Sequence, residues 1–178
     1  MTHSLPNDGL LKAARIVTLV FQGILGVAFV ALLIAIPIVL MSQAHIVDEM
    51  LPTATVAAGT VAATIAIVLF LGAGAAAIGF VFLRILRRII GSVGEGNPFI
   101  LENADRLRTM GWLAVSIELL KLPASALAIF IAQQVKKDTF TVDVELSITG
   151  LLIALVLFIL ARVFRHGAAM REDLEGTV

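Results

Sequence analysis

Four long apolar runs constrain the fold of this chain more than any other feature. They cover approximately residues 16–41, 56–83, 111–132 and 146–163. A hydrocarbon core of about 30 Å is crossed by roughly 20 helical residues, since each residue advances the helix by about 1.5 Å. The sequence therefore predicts an all-α integral membrane protein, a small bundle of four transmembrane helices.

The composition agrees with this prediction. Of the 178 residues, 60% are hydrophobic and 15% are charged, whereas soluble domains average about half and a quarter. We predict helices at about 13–41, 56–92, 101–133 and 146–170, within a single domain that covers residues 1–178. The first run is longer than a signal-peptide core of about 7 to 15 residues, so we expect it to remain as a helix.

The basic residues predict the orientation. Ten of them flank the apolar runs on one side, and only Lys136 and Lys137 flank them on the other. Cytoplasmic flanks are the ones that carry the excess of Lys and Arg. We therefore expect both termini, a loop at 84–110 and a tail at 164–178 to be cytoplasmic. The ten residues are Lys12, Arg15, Arg84, Arg87, Arg88, Arg106, Arg108, Arg162, Arg165 and Arg171.

The second run is rich in small residues at helical spacing. Gly72, Ala76 and Gly79 are members of this set. Small residues let helix backbones approach closely where lipid removes the hydrophobic drive for association. The partner of this face is either another helix of the chain or a second copy, so a homo-oligomer is one expectation. Arg84, Arg87 and Arg88 follow the run at headgroup level, where they can meet anionic membrane lipid.

The third run contains two charged residues inside the expected hydrocarbon region. Glu118 lies roughly 10 Å and Lys121 roughly 15 Å from the start of the run. Their i,i+3 spacing allows an ion pair, while an unpaired central charge costs roughly 2.5 to 3.5 kcal/mol. Ser125 lies on the same helical stripe, and Gln22 lies at a similar depth in the first helix. These four residues form a candidate intramembrane polar site, which either fixes helix register or holds a proton, ion or ligand head group.

The polar segment between the second and third runs has the densest turn chemistry. Gly94, Gly96, Asn97 and Pro98 predict a helix break, and Phe99 is expected to pack against the start of the next helix. The two glycines do not indicate a phosphate-binding loop, because the third glycine, the lysine and the preceding strand of such loops are missing.

Several classes of function have no support in this sequence. The chain has no cysteine, which excludes disulfides, thiolate metal sites and a cysteine nucleophile. Its formal net charge is zero, and no base-reading element is present, so we expect no direct contact with nucleic acid. No nucleophile, base and orienting group can be assembled. We therefore expect neither an enzyme nor a bound cofactor or metal.

Two stretches resemble one protein family. They are GNPFILENADRLRTMGW at 96–112 and FRHGAAMREDLEGTV at 164–178, and they are similar to signatures of the bacterial membrane proteins called DUF2975. The resemblance rests on Asn97, Pro98, Phe99, Glu102, Asn103, Leu107 and residues 171–178, together with the four-helix hydropathy plan. It implies a multi-pass protein of the bacterial inner membrane without established chemistry. Members are often encoded beside a small cytosolic helix-turn-helix regulator of the XRE type, which implies such a partner.

Two functional hypotheses follow. The first is a regulatory interaction protein whose polar segment and tail form one cytoplasmic surface for a partner. The second is a small transporter, channel or ligand sensor that uses Glu118 and Lys121. The residues expected on the partner surface are Asn97, Pro98, Phe99, Glu102, Asn103, Arg106, Arg171, Glu172, Asp173 and Glu175.

Overall fold

The computed structural model describes residues 8–42, 57–134 and 147–175, and this part of the chain forms four α-helices without a β-strand. All four predicted helices are present, with bounds within about five residues of the expected ones. The helices are α1 (Asp8–Met41), α2 (Ala58–Gly94), α3 (Leu101–Gln134) and α4 (Ile148–Glu175).

All four helices are long and apolar enough to cross a membrane. Many of their large apolar side chains are exposed, among them Phe21 and Val27 of α1 and Leu155 of α4. An aqueous protein rarely leaves such extensive apolar surface uncovered, whereas a bilayer covers it with lipid tails. The chain is therefore a multi-pass membrane protein, as its hydropathy predicts.

The buried residues are mostly small. Nine of the fourteen buried hydrophobic residues within the described ranges are alanines. Lipid solvates apolar side chains as well as a protein interior does, so helices in a membrane associate through close packing of small residues.

The chain forms two compact units that are not consecutive segments. The first contains Ile78–Ser116 and the described parts of Met1–Ile24 and Ile148–Val178, and the second contains the described parts of Leu25–Ala77 and Ile117–Ser147. Helices α1, α2 and α3 each contribute residues to both units. The prediction of one domain over residues 1–178 stays a prediction.

The first unit has a core built from α2, α3 and α4. Ile89, Met110 and Leu157 represent these helices in one buried cluster, and the Phe158 ring packs against that cluster. At Gly111, an added Cβ atom would lie only 2.8 Å from Cε1 of Phe158. The Phe158 ring also meets Trp112 edge to face, with ring centroids 5.4 Å apart. The absence of a side chain at Gly111 thus lets α4 approach α3 closely.

In the second unit, the small residues of α2 face other helices of the same chain. A Cβ atom at Gly72 would lie 3.6 Å from Leu32 of α1, and one at Gly74 would lie 3.5 Å from Leu120 of α3. Ala76 is buried. At these positions the partners that the sequence left open are α1 and α3. Gly79, which belongs to the first unit, is partly buried.

Candidate interaction surface and polar sites

The connection between α2 and α3 is a tight helix-ending turn. The amide of Asn97 donates to the carbonyl of Ser92, and the amide of Gly96 donates to the carbonyl of Val93, both at 3.1 Å. Gly96 has a φ of 79°. This pair of bonds around a left-handed residue is the Schellman motif, which glycine favours because it has no Cβ atom. The predicted break is confirmed, and six residues, 95–100, join the two helices.

Asn103 ties the end of α2 to the start of α3. Its side chain is 0% exposed, and its Nδ2 donates to Oγ of Ser92 at 2.7 Å and to the carbonyl of Pro98 at 2.8 Å. Its Oδ1 accepts a hydrogen bond from Nη1 of Arg106 at 2.8 Å. Such full pairing is what a buried amide requires.

This burial corrects the expectation that Asn103 faces a partner. A residue without exposed surface positions its neighbours and does not contact a soluble protein. Asn103 holds the turn closed and fixes the guanidinium group of Arg106, which is itself partly exposed.

Phe99 packs on α4. Its ring centroid lies 5.1 Å from that of Phe164, with the planes tilted by 45°. A Cβ atom at Gly167 would lie 2.9 Å from Cδ1 of Phe99, so the ring rests on a position that only glycine leaves open. Phe99 thus contacts two residues of α4 that lie more than 60 positions further along the sequence, and its expected contact with the start of α3 stays a prediction.

Two polar contacts accompany this packing. Nη1 of Arg171 donates to Oδ1 of Asn97 at 2.7 Å, and Nη2 of Arg165 pairs with Oδ1 of Asp105 at 2.6 Å. Exposed ion pairs contribute only about 0 to 1 kcal/mol, so the pair between Arg165 and Asp105 adds little to stability. The structure thus brings together the two stretches that carry the family resemblance.

Sequence reasoning missed the α4 residues that make most of these contacts. Phe164, Arg165 and Gly167 were not among the expected site residues. Two signals were available: these residues lie in the stretch 164–178 that carries the family resemblance, and a glycine inside a helix costs about 1 kcal/mol relative to alanine unless packing requires it.

The exposed polar residues among those predicted for a partner surface form a candidate docking surface at this end of the first unit. Pro98 is only partly exposed, and Glu175 is the last residue of α4, with its side chain outside the described part. We call the exposed set the segment–tail surface. It consists of Asn97, Glu102, Arg171, Glu172 and Asp173.

The predicted intramembrane ion pair forms within α3. Nζ of Lys121 lies 2.6 Å from Oε1 of Glu118, and the side chains are 49% and 6% exposed, respectively. The second oxygen of Glu118, Oε2, is buried without a hydrogen-bond partner among the described residues. Ser125 donates its hydroxyl to the carbonyl of Leu122 at 2.9 Å. The hydroxyl proton of Ser125 is therefore donated to the helix backbone and not to Glu118.

Gln22 is also buried. It is 7% exposed, and its Oε1 has no hydrogen-bond partner in the described part of the chain. Gln22 belongs to the first unit and Glu118 to the second. A hydrogen bond between them stays a prediction. No three histidine or carboxylate side chains converge as metal ligands within residues 8–42, 57–134 and 147–175.

Fold and site together define a multi-pass α-helical membrane protein. At one polar end of its first unit, the turn between α2 and α3 packs on α4. The family model DUF2975, described as a protein of unknown function, matches residues 48–178. The chain belongs to the DUF2975 family, as its two motifs predict. No curated protein and no solved structure matches the chain.

Proposed function

We propose that this protein is an interaction protein of the bacterial inner membrane, and that its segment–tail surface binds a soluble cytosolic partner. The observation that carries the proposal is the hydrogen bond between Arg171 and Asn97, residues 74 positions apart in sequence. With the packing of Phe99 on Phe164, it joins two polar stretches into one exposed surface.

The length of α4 supports a role beyond anchoring. The apolar run ends at residue 163, yet α4 continues to Glu175, which is roughly 18 Å further along the helix. This extension exposes Arg171, Glu172 and Asp173 beside the turn. Both signs of charge are present, as is common in the polar rim of a protein interface.

The family resemblance suggests the class of partner. DUF2975 members are often encoded beside a small regulator of the XRE type, so a helix-turn-helix regulator is the partner that we propose first. Any link to DNA then passes through that regulator.

A pull-down from membranes, with the neighbouring regulator as bait, tests the proposal. Charge reversal by Glu102→Lys with Glu172→Lys changes two exposed residues of the surface. It is expected to weaken capture by roughly tenfold or more, because a partner whose basic residues complement these two carboxylates would then meet like charges. Glu95→Lys is the matched control, since Glu95 is exposed in the same turn but outside the surface. Equal capture of the double variant and the control would show that the surface is wrong.

A second candidate function has one specific observation in its favour. The buried Oε2 of Glu118 has no hydrogen-bond partner among the described residues, and intramembrane carboxylates commonly serve ion or proton pathways. We infer from it a small transporter, channel or ligand sensor as the alternative.

The double variant Glu118→Gln with Lys121→Met tests this alternative, because it removes both charges and keeps the side-chain volumes similar. A transport or sensing role predicts that the variant folds but loses the phenotype of the parent. If it keeps every phenotype of the parent in a deletion strain, the ion pair is structural and the alternative fails.

A further inference from the structure

Four arginines of the first unit line one cavity. The cavity has a volume of about 410 Å³, and its walls include Arg15 from α1, Arg87 and Arg88 from α2, and Arg106 from α3. Among the described residues of the wall, Glu95 is the single carboxylate. The side chains from three helices thus give the wall of this cavity an excess of positive charge.

Within the described residues, no carboxylate forms an ion pair with any of these four arginines. The ion pairs found there join Lys121 to Glu118 and Arg165 to Asp105, and neither includes an arginine of the cavity. Guanidinium groups that share a space repel one another unless an anion lies between them. The cavity therefore has the electrostatics of an anion site.

Arg106 is held in place by the buried polar network of the turn. Its Nη1 donates to Oδ1 of Asn103, and Asn103 is fixed in turn by Ser92 and the carbonyl of Pro98. A guanidinium group has five N–H donors. This single bond leaves the remaining donors of Arg106 free to bind a ligand.

Arg15 has room beside α2 because of a glycine. Its Nη2 lies 3.8 Å from the place where a Cβ atom on Gly91 would be, and Gly91 is itself part of the cavity wall. A larger side chain at this position would fill the space without changing any charge.

The four arginines also share a level relative to the apolar runs. Arg15 directly precedes the run at 16–41, Arg87 and Arg88 follow the run that ends at residue 83, and Arg106 precedes the run that begins at residue 111. Each lies within about 8 Å of the end of a run along its helix. At that level a bilayer presents its phosphate groups.

We propose that this cavity binds a phosphoryl anion, with Arg15, Arg87, Arg88 and Arg106 as its donors. The planar fork of a guanidinium group matches the oxygens of a phosphate and binds them in pairs. The phosphoryl group belongs either to the head group of an anionic lipid or to a soluble phosphate compound. The cavity shares no residue with the segment–tail surface, so its test is independent of the proposed function.

Native mass spectrometry of the full chain in an uncharged detergent tests the proposal. The probes are phosphatidylglycerol, phosphatidylcholine as the zwitterionic control, and inorganic phosphate as ligand and competitor. Arg87→Gln with Arg88→Gln is expected to weaken anion binding by about fivefold for each arginine removed. Arg84→Gln is the matched control, since Arg84 is an exposed arginine of the same helix that does not line the cavity.

Gly91→Leu is a second variant, which fills the cavity and keeps all four arginines. Circular dichroism checks that each variant is folded. Gly91→Leu is expected to lose binding, the double variant is expected to show the weakening of about fivefold per arginine, and Arg84→Gln is expected to keep the affinity of the parent. Tight binding of phosphatidylglycerol that phosphate does not displace identifies a lipid, and equally tight binding of inorganic phosphate identifies a soluble ligand.

Three results would overturn the proposal. One is that neither phosphatidylglycerol nor inorganic phosphate binds. Another is a loss in Arg84→Gln as large as that in the double variant, which indicates a diffuse basic surface. The third is unchanged binding by folded Gly91→Leu, which places the anion outside the cavity.

Discussion

At the scale of single residues, Asn103 shows how one buried amide organises a polar end of a membrane protein. It donates two hydrogen bonds and accepts a third, which joins Ser92, Pro98 and Arg106. The sequence marked this residue through its family motif but indicated the wrong role. Burial decides between contacting a partner and positioning the turn, and burial depends on the packing of other elements.

We predict that Asn103→Ala lowers the free energy of unfolding by about 1 to 3 kcal/mol, since it leaves buried polar groups without partners. Thermal unfolding of the purified protein in detergent measures the change. Glu102→Ala, an exposed neighbour in the same helical turn, is the control and is expected to differ little from the parent. Equal stability of both variants would contradict the anchoring role.

At the scale of elements, two glycines set how α4 packs in the first unit. Gly111 receives the Phe158 ring, and Gly167 receives the Phe99 ring. Hydropathy does not predict either contact, because lipid solvates aromatic and aliphatic side chains equally well. A glycine within a helix is an unfavourable local choice that these contacts explain.

We predict opposite effects for two glycine-to-alanine changes. At Gly167, the new Cβ atom would lie 2.9 Å from Phe99, and overpacking of about 1 to 3 kcal/mol outweighs a helix-propensity gain of about 1 kcal/mol. At Gly23, an added Cβ atom would meet no atom within 4 Å apart from its chain neighbours and the nearby backbone of its own helix, so Gly23→Ala is expected to be neutral or stabilising. Chemical unfolding of both variants measures the difference, and stabilisation by Gly167→Ala would refute the close contact.

At the scale of the whole molecule, the count of basic residues predicts that the turn and the end of α4 lie in the cytoplasm. The chain has no cysteine, so single cysteines report their side of the membrane without background. Glu95 and Glu172 represent the predicted inner side, and Ser42, after the end of α1, represents the outer side.

We predict that Ser42→Cys reacts with a membrane-impermeant maleimide in intact cells. Glu95→Cys and Glu172→Cys are expected to react only after the membrane is permeabilised, because the reagent cannot cross it. Labelling is read by a mass shift on a gel. The reverse pattern would place the segment–tail surface outside the cell and would rule out a cytosolic partner.

The sequence by itself determined the four helices, the turn at Gly96 and the ion pair between Glu118 and Lys121. These features obey local rules. A helix in lipid must satisfy its own backbone hydrogen bonds over a fixed length, a left-handed turn favours glycine, and residues three apart share a helix face.

Only the tertiary structure decided which helix faces meet. Arg171 reaches Asn97, Phe99 reaches Phe164, and four arginines from three helices line one cavity. A soluble helix shows its buried face through the period of its apolar residues. A membrane helix is apolar on most sides, so that period does not reveal its rotation, which depends on where small residues let neighbouring helices approach.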